Sequence, residues 1–272
     1  MSSFQTIKTR SEGRVGVLTF DRPTLLNAFN SALIGEVNAA MIGFIADPNI
    51  LAIVVHGNGR AFSAGFDMKE SSGQDAKTIE EWRAELERDF AFIMQFWDCP
   101  KPTIAAIHGH CLAGAFELSL ACDMTVAAEG TKLGEPEVRF GGGLVALLLP
   151  WMTTPKFAKE LILTGNDRID AARGYELGVI NYVVPQGQEF AKAMAIAGHL
   201  TAAAPSAVML SKRAINRSYE AMGMRQSLLG ALDIDIIISA AGGPERTEFN
   251  RIRNEQGLKA AFAWRDSRFE QD

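Results

Sequence analysis

KPTIAAIHGHCLAGAFELSLACDMTVAAE, residues 101–129, decides the fold. TIAAIHG (103–109) is strand-like and ends on glycine, LAGAFELSLAC (112–122) is helix-like, and DMTVAAE (123–129) is strand-like again. A strand, a glycine turn, a helix and a further strand in under thirty residues are the unit of an α/β core.

The same grammar extends toward the N-terminus. Residues 3–10 and 14–20 (RVGVLTF) alternate as strands, with Glu12-Gly13 as their turn. NSALIGEVNAAMIGFIAD (30–47) has a helical period, Asn30 or Ser31 to cap it and Pro48 beyond its end. LAIVVHG (51–57) is a short β-branched run bounded by glycine, a buried strand, and ESSGQDAKT (70–78) is polar and loop-like. Trp82, Leu86, Phe90, Ile93 and Trp97 then recur at helical spacing up to Pro100, a stripe that reads as core packing. Beyond the central stretch, KFAKELILTG (156–165) and AARGYELG (171–178) read as helices closed by glycine, and NYVVP as a short strand. From about residue 188 only helical patterns follow. The expected organisation is an α/β body, residues 1–200, and a helical region, residues 201–272, with a strand–strand–helix unit recurring in the body.

Composition limits what such a chain does. Its 272 residues are 47% hydrophobic, enough for one sizeable core. A formal charge of −5 offers no basic face for nucleic acid, and Asp89 and Lys101 read as ordinary solvated surface charges. The longest apolar runs, such as LVALLL (144–149), are too short to cross a membrane, and MSSFQTIKTR lacks an apolar signal segment. Cys99, Cys111 and Cys122 are odd in number and lack CxxC spacing, which fits reduced thiols in a cytoplasmic protein. The four histidines, His56, His108, His110 and His199, lie in no metal-ligand pattern, so no metal is expected. His110 stands out only for its place in a glycine turn.

Two glycine turns share one kind of position. In AFSAGFDMKE (61–70), small residues surround Gly65 after the strand at 51–57; in HGHCLAGAFE (108–117), glycines lie between a strand and a helix. Each exposes backbone N–H groups with no helical partner. Two such donors aimed at one point make an oxyanion hole. Glu117 is a lone acid among Phe116, Leu118 and Leu120, which puts it near a pocket or in a pair.

With GRAFSAGFDMKE (59–70), GEPEV (134–138), APSAVMLSKRAIN (204–216), DRPTLLNAFN (21–30) and YELGVINYVVP (175–185), these stretches resemble the crotonase superfamily, the enoyl-CoA hydratase/isomerase family. The matches run in family order from about residue 15 to 216. The resemblance implies the ClpP/crotonase-like spiral of β-β-α units with a C-terminal helical trimerisation region, forming a homotrimer or homohexamer. It implies an acyl-CoA thioester substrate, with coenzyme A entering as part of that substrate and no separate cofactor. It places the oxyanion hole at the N–H groups of Phe66 and Gly114, with the Phe66 ring narrowing the acyl pocket. It makes Glu117 the residue that binds and activates water and Glu137 the residue that exchanges the proton at Cα, in hydration of a 2-enoyl-CoA in fatty acid metabolism. Coenzyme A contacts fall to Ala64 and Met68 through their carbonyls and to Arg22 and Lys69 through charge. The chain departs from the family pattern in EVRFGGGLVALLLPWM (137–152), where the glycines come about four residues early and Arg139 enters the loop, in Thr24 where a basic residue is common, and in the C-terminal AAFAWRDSR (260–268), one residue longer. The early glycines leave room for an isomerase working through Glu137 alone, a thioester hydrolase or a dehalogenase-like enzyme. A non-catalytic acyl-CoA-binding protein is the alternative of another class; two retained glutamates argue against it.

Overall fold

A computed structural model describes residues 4–68, 70 and 77–269. Six strands form one sheet in the order β1-β2-β3-β4-β6-β9: β1 (Ile7–Glu12), β2 (Val15–Phe20), β3 (Ala52–Gly57), β4 (Thr103–Ile107), β6 (Met124–Ala128) and β9 (Tyr182–Val184). Only β1 runs antiparallel to its neighbour; it is joined to β2 at Gly13, whose φ of +59° suits the tight turn. A second, smaller sheet holds β5 (His110–Leu112), β7 (Lys132–Gly134) and β8 (Ile169–Asp170).

The central strands are buried on both faces, and their side chains alternate between two cores as the two-residue period requires. Leu18, Phe20, Ile53, Val55, Ala105 and Ile107 face one core, covered by α1 (Ser31–Ala46), α2 (Ile79–Asp98) and α3 (Gly114–Ala121). Val15, Val17, Val54, Ile104, Ala106 and Val126 face the other, covered by Ala193 and Ala197 of α7 (Glu189–Ala202). Each fully buried large side chain contributes about 1.5–3 kcal/mol. Caps fix the helix starts. The Asn30 side chain accepts from the Leu33 N–H at 3.0 Å, and Thr78 and Glu81 make a reciprocal capping box at the head of α2.

The smaller sheet turns this α/β layer into a spiral. Ser63 bridges Cys111 in parallel, and Cys111 pairs with Leu133, so β3, β4 and β6 are each followed by a short piece of this second layer before the next helix. That is the expected strand–strand–helix unit. Its second strand escapes notice in the sequence because it is three residues long or a single bridge.

The later helices are α4 (Leu149–Met152), α5 (Pro155–Thr164), α6 (Ala171–Glu176), α8 (Pro205–Ala221), α9 (Met224–Ala241), α10 (Pro244–Gln256) and α11 (Leu258–Ser267). Among the described residues no single helix is long and apolar enough to cross a membrane. Two charges differ from expectation: Asp89 and Lys101 are both buried, not solvated. Lys101 Nζ donates to the carbonyls of Phe44 (2.5 Å) and Asp47 (2.7 Å), satisfying the C-terminal end of α1, and Asp89 pairs with Arg88.

Candidate active site

Sheet register brings the two glycine turns together. Ser63 and Cys111 are bridge partners, and Phe66 and Gly114 each lie three residues further on, so they hold equivalent positions just past that pairing. The turns touch: a Cβ on Gly65 would lie 2.8 Å from Ala113 Cβ and 3.2 Å from Gly114 N. Gly65 has φ +87°, a conformation other residues adopt only with strain.

Around Phe66 the neighbouring amides are all taken. Ser63 N donates to His110 O, Ala64 N to Leu26 O, Gly65 N to Ser63 Oγ and Asp67 N to Phe29 O, at 3.0–3.1 Å. The Phe66 N–H has no protein acceptor among the described residues, and neither has that of Gly114. Their direction follows from planar trans peptides, in which N–H and the preceding C=O point opposite ways. The Gly65 carbonyl accepts from Phe29 N–H, and the Ala113 carbonyl accepts from Phe116 and Glu117 N–H, so both carbonyls are turned away from the cavity. Ala113 holds φ +56°, strained for alanine, with its own N–H anchored on Gly134 O at 2.8 Å.

Asn27 supports this arrangement from beneath. Its buried amide donates to the carbonyls of Asn58, Ala61 and Phe62, tying down the chain that leads into Gly65. The Phe66 ring leans into an aromatic cluster, edge-on to Phe29 (5.8 Å) and Phe92 (6.3 Å), and also covers Gly114. A Cβ on Gly114 would meet it at 2.4 Å, so glycine is required there by packing.

The two amides open on a cavity of about 780 Å³, which Ala64, Phe66, Met68, His110, Gly114, Glu117 and Glu137 help to line. Glu117, in the first turn of α3, is fully buried and neither carboxyl oxygen makes a hydrogen bond of ordinary geometry. Burial, then the nearby Glu137, pushes its pKa well above the usual carboxylate value; the Val145 and Ala146 N–H groups face it and offset part of the rise. Glu137 heads the 3-10 turn Glu137–Phe140, and burial pushes it up to about 8. Asp235 adds to that rise, and Arg265 opposes it. Glu135 is a third carboxyl in the group, fully buried, unpartnered and raised by burial, then by Glu137 and Glu117, but outside the cavity lining.

The short loop after Glu137 is built as one compact turn. Gly142 N donates to Glu137 O at 2.8 Å, and Gly141 takes φ +75°. Gly143 lies so close to Asp235 of α9 that a Cβ would sit 2.4 Å from Asp235 Oδ1. Asp235 also accepts from Ser239 Oγ, and burial raises its pKa. Arg139 points away from the glutamates, donating Nε to Thr164 O at 3.0 Å and lying 3.9 Å from Asp167.

Not every expected residue gathers here. Arg22 Nη1 donates to Ala28 O and to Asp67 Oδ2 (2.9 Å) and does not line the cavity. Lys69 lies outside the described residues. The Met68 carbonyl accepts from Arg253 Nη1 at 3.2 Å. Phe262 and Arg265 of the lengthened C-terminal segment do line the cavity, Arg265 paired with Asp167 at 3.0 Å. Sequence reasoning missed Asp89, Asp235, Arg246 and Arg253 as cavity residues. Trp82 and Leu86, the first members of the supposed core stripe, also face the cavity. Among the described residues no group of three or more His, Cys, Asp or Glu is placed to hold a metal.

The family model described as enoyl-CoA hydratase/isomerase matches residues 10–233. A probable enoyl-CoA hydratase of Rhizobium meliloti is 34% identical over 261 residues, covering 91% of this chain and 98% of the relative. A crotonyl-CoA hydratase of Syntrophomonas wolfei is 31% identical over 239 residues, covering 86% and 88%. Among solved structures, an enoyl-CoA hydratase/isomerase from Xanthobacter autotrophicus superposes with a TM-score of 0.96 at 46% identity, over 98% of this chain and 99% of that one.

Proposed function

The chain belongs to the enoyl-CoA hydratase/isomerase family of the crotonase superfamily, and on that premise we propose that it hydrates 2-enoyl-CoA thioesters. The observation that carries this reading is the pair Glu117 and Glu137, two glutamates in one cavity with the unpartnered N–H groups of Phe66 and Gly114. The thioester oxygen accepts from both amides, which stabilise the charge that grows on it as Cβ is attacked. In the ionisation state that reacts, the two carboxyls share one proton, and the Glu117 carboxylate, whose charge burial disfavours, takes a proton from water as the water oxygen bonds to Cβ. Glu137, held protonated near neutral pH, delivers a proton to Cα, and the pair ends with one proton as it began. Raised pKa values suit this sharing, because two close carboxyls in a dry site do not both ionise. The Val145 and Ala146 N–H groups, just past the glycine turn, face Glu117, so the shortened loop still presents polar groups to the water-activating residue.

Coenzyme A enters past Ala64 and Met68 as part of the substrate; no further cofactor takes part. The protein works in the cytoplasm. Residues 201–272 assemble it into homotrimers or homohexamers, a reading supported by exposed Leu210, Ile215, Met222, Ile234 and Ile237 on α8 and α9. Those helices present more apolar surface than an isolated chain has reason to show.

The deciding experiment follows crotonyl-CoA by loss of enoyl absorbance and by mass. A product heavier by one water supports hydration. Conversion of a 3-enoyl-CoA to the 2-enoyl isomer with no gain of water, and no reaction of crotonyl-CoA, overturns it in favour of the isomerase.

A further inference from the structure

Arg246 on α10 reaches the cavity wall, and its guanidinium lies over the Trp82 ring, 4.7 Å from the centroid. Among the described residues no carboxylate stands within ion-pair distance of it; its one hydrogen bond runs from Nη1 to Ser239 O at 3.5 Å. Of the other cations of the cavity, Lys77 pairs with Glu85 and Arg265 with Asp167 and Asp266, while Arg253 donates to Met68 O and leaves its Nε without a partner. Asp235 and Glu85 act on Arg246 only through space, each already bonded elsewhere. Burial has stripped much of its water and lowers its pKa. A half-desolvated guanidinium stacked on an indole keeps its N–H edge open, and the acceptor that fits that edge is a carboxylate, bound through two parallel hydrogen bonds.

The place of Arg246 says which part of the substrate it meets. Arg253, seven residues on, marks the Met68 end, where coenzyme A is expected to enter. Arg246 is two helical turns, about 10 Å, away from it along α10, with its Cβ 3.1 Å from the Cβ position of Gly141 in the turn after Glu137. It therefore lies on the catalytic side of the cavity.

We propose that Arg246 anchors a carboxylate at the far end of the acyl group, so that the preferred substrates are 2-enoyl-CoA thioesters of dicarboxylic acids. This rests on the acyl-CoA reading above. Trp82 holds the guanidinium plane, and the uncharged acyl chain runs between that anchor and the hole.

The test compares each plain 2-enoyl-CoA with its ω-carboxyl counterpart across several chain lengths, in the wild type, Arg246→Gln and Arg246→Lys. At the length that spans the site, the wild type is expected to favour the carboxylated substrate by about 10- to 100-fold in kcat/KM, the worth of one charge-assisted pair. Arg246→Gln abolishes that preference, chiefly through KM, and Arg246→Lys, which keeps the charge without the fork, retains part of it. Equilibrium binding of butyryl-CoA and glutaryl-CoA separates this proposal from the reaction. Stronger binding of glutaryl-CoA that is lost in Arg246→Gln upholds the anchor even if no hydration is seen. No preference in the wild type at any length, or an equal loss for both ligands in the variants, overturns it, the latter assigning Arg246 to the coenzyme A moiety.

Discussion

Asp123 and Glu117 are acids set along one stretch of chain, and the protein treats them in opposite ways. Asp123 Oδ2 accepts from Lys212 Nζ at 2.7 Å, from Thr103 N at 2.7 Å and from Thr103 Oγ1 at 3.0 Å. Lys212 donates further to the carbonyls of Phe96 and Lys101. This pair pins α8 to the body, with every charge answered. Glu117 is more deeply buried, has no such partner and faces a cavity and two free amides. Desolvating a carboxyl without pairing it costs several kcal/mol if it ionises. A fold that answers one acid fully and leaves the other facing only the N–H groups of Val145 and Ala146 is what the role proposed for Glu117 requires.

Replacement of Glu117 is the largest expected break in that contrast. Glu117→Gln should lower kcat for enoyl hydration by about 10²–10⁴-fold, while melting temperature stays level or rises. A variant with unchanged turnover would return Glu117 to the structural class. Asp123→Asn should do the reverse. Removing one member of a buried pair costs about 3–5 kcal/mol, read as a lower denaturation midpoint, with turnover per folded molecule little changed. A third change acts on the proposed oxyanion hole. Gly65→Ala forces φ +87° on alanine and drives its Cβ against Ala113, so it should misplace the donors and cost about 10²–10³ in kcat, the worth of one oxyanion contact. Wild-type kcat with this substitution would mean that Phe66 and Gly114 do not hold the thioester oxygen.

The contrast also marks what could be read before the structure. Glu117 was legible because a lone acid interrupts an apolar helix, and the two glycine turns because they leave amides free at strand ends; the positions Phe66 and Gly114 within them came from the family resemblance. Asp235 and Arg246 were not. They come from α9 and α10, far along the chain, and only the folding of those helices back over the α/β body carries them to the cavity. The strands β5 and β7 were hidden for a related reason. Three residues hold no period, and their existence depends on pairing with each other and with Ser63. Asp89 and Lys101 looked like surface because charge was taken for exposure; their partners, Arg88 and the end of α1, are what make burial tolerable.

Glu135 tests the contrast from between its two sides, being unpartnered like Glu117 yet outside the cavity lining. If lack of a partner alone defines the reserved class, Glu135→Gln will be as damaging as Glu117→Gln; if access to substrate is also needed, turnover will fall only a few-fold. We expect the second. Its pKa is raised in the fold, by burial first and then by Glu137 and Glu117, so the native state holds a proton that the unfolded chain gives up. Stability from that proton is complete below the ordinary glutamate value of 4.5 and drains away as pH climbs toward the raised folded value. Glutamine never ionises and escapes the loss. Glu135→Gln should therefore gain on the wild type in melting temperature as pH is raised from about 5 to about 9. A difference that stays flat over that range would mean that a hydrogen-bond donor or water holds the ionised Glu135 when folded, and would move it to the side of Asp123, which accepts from Lys212 and Thr103.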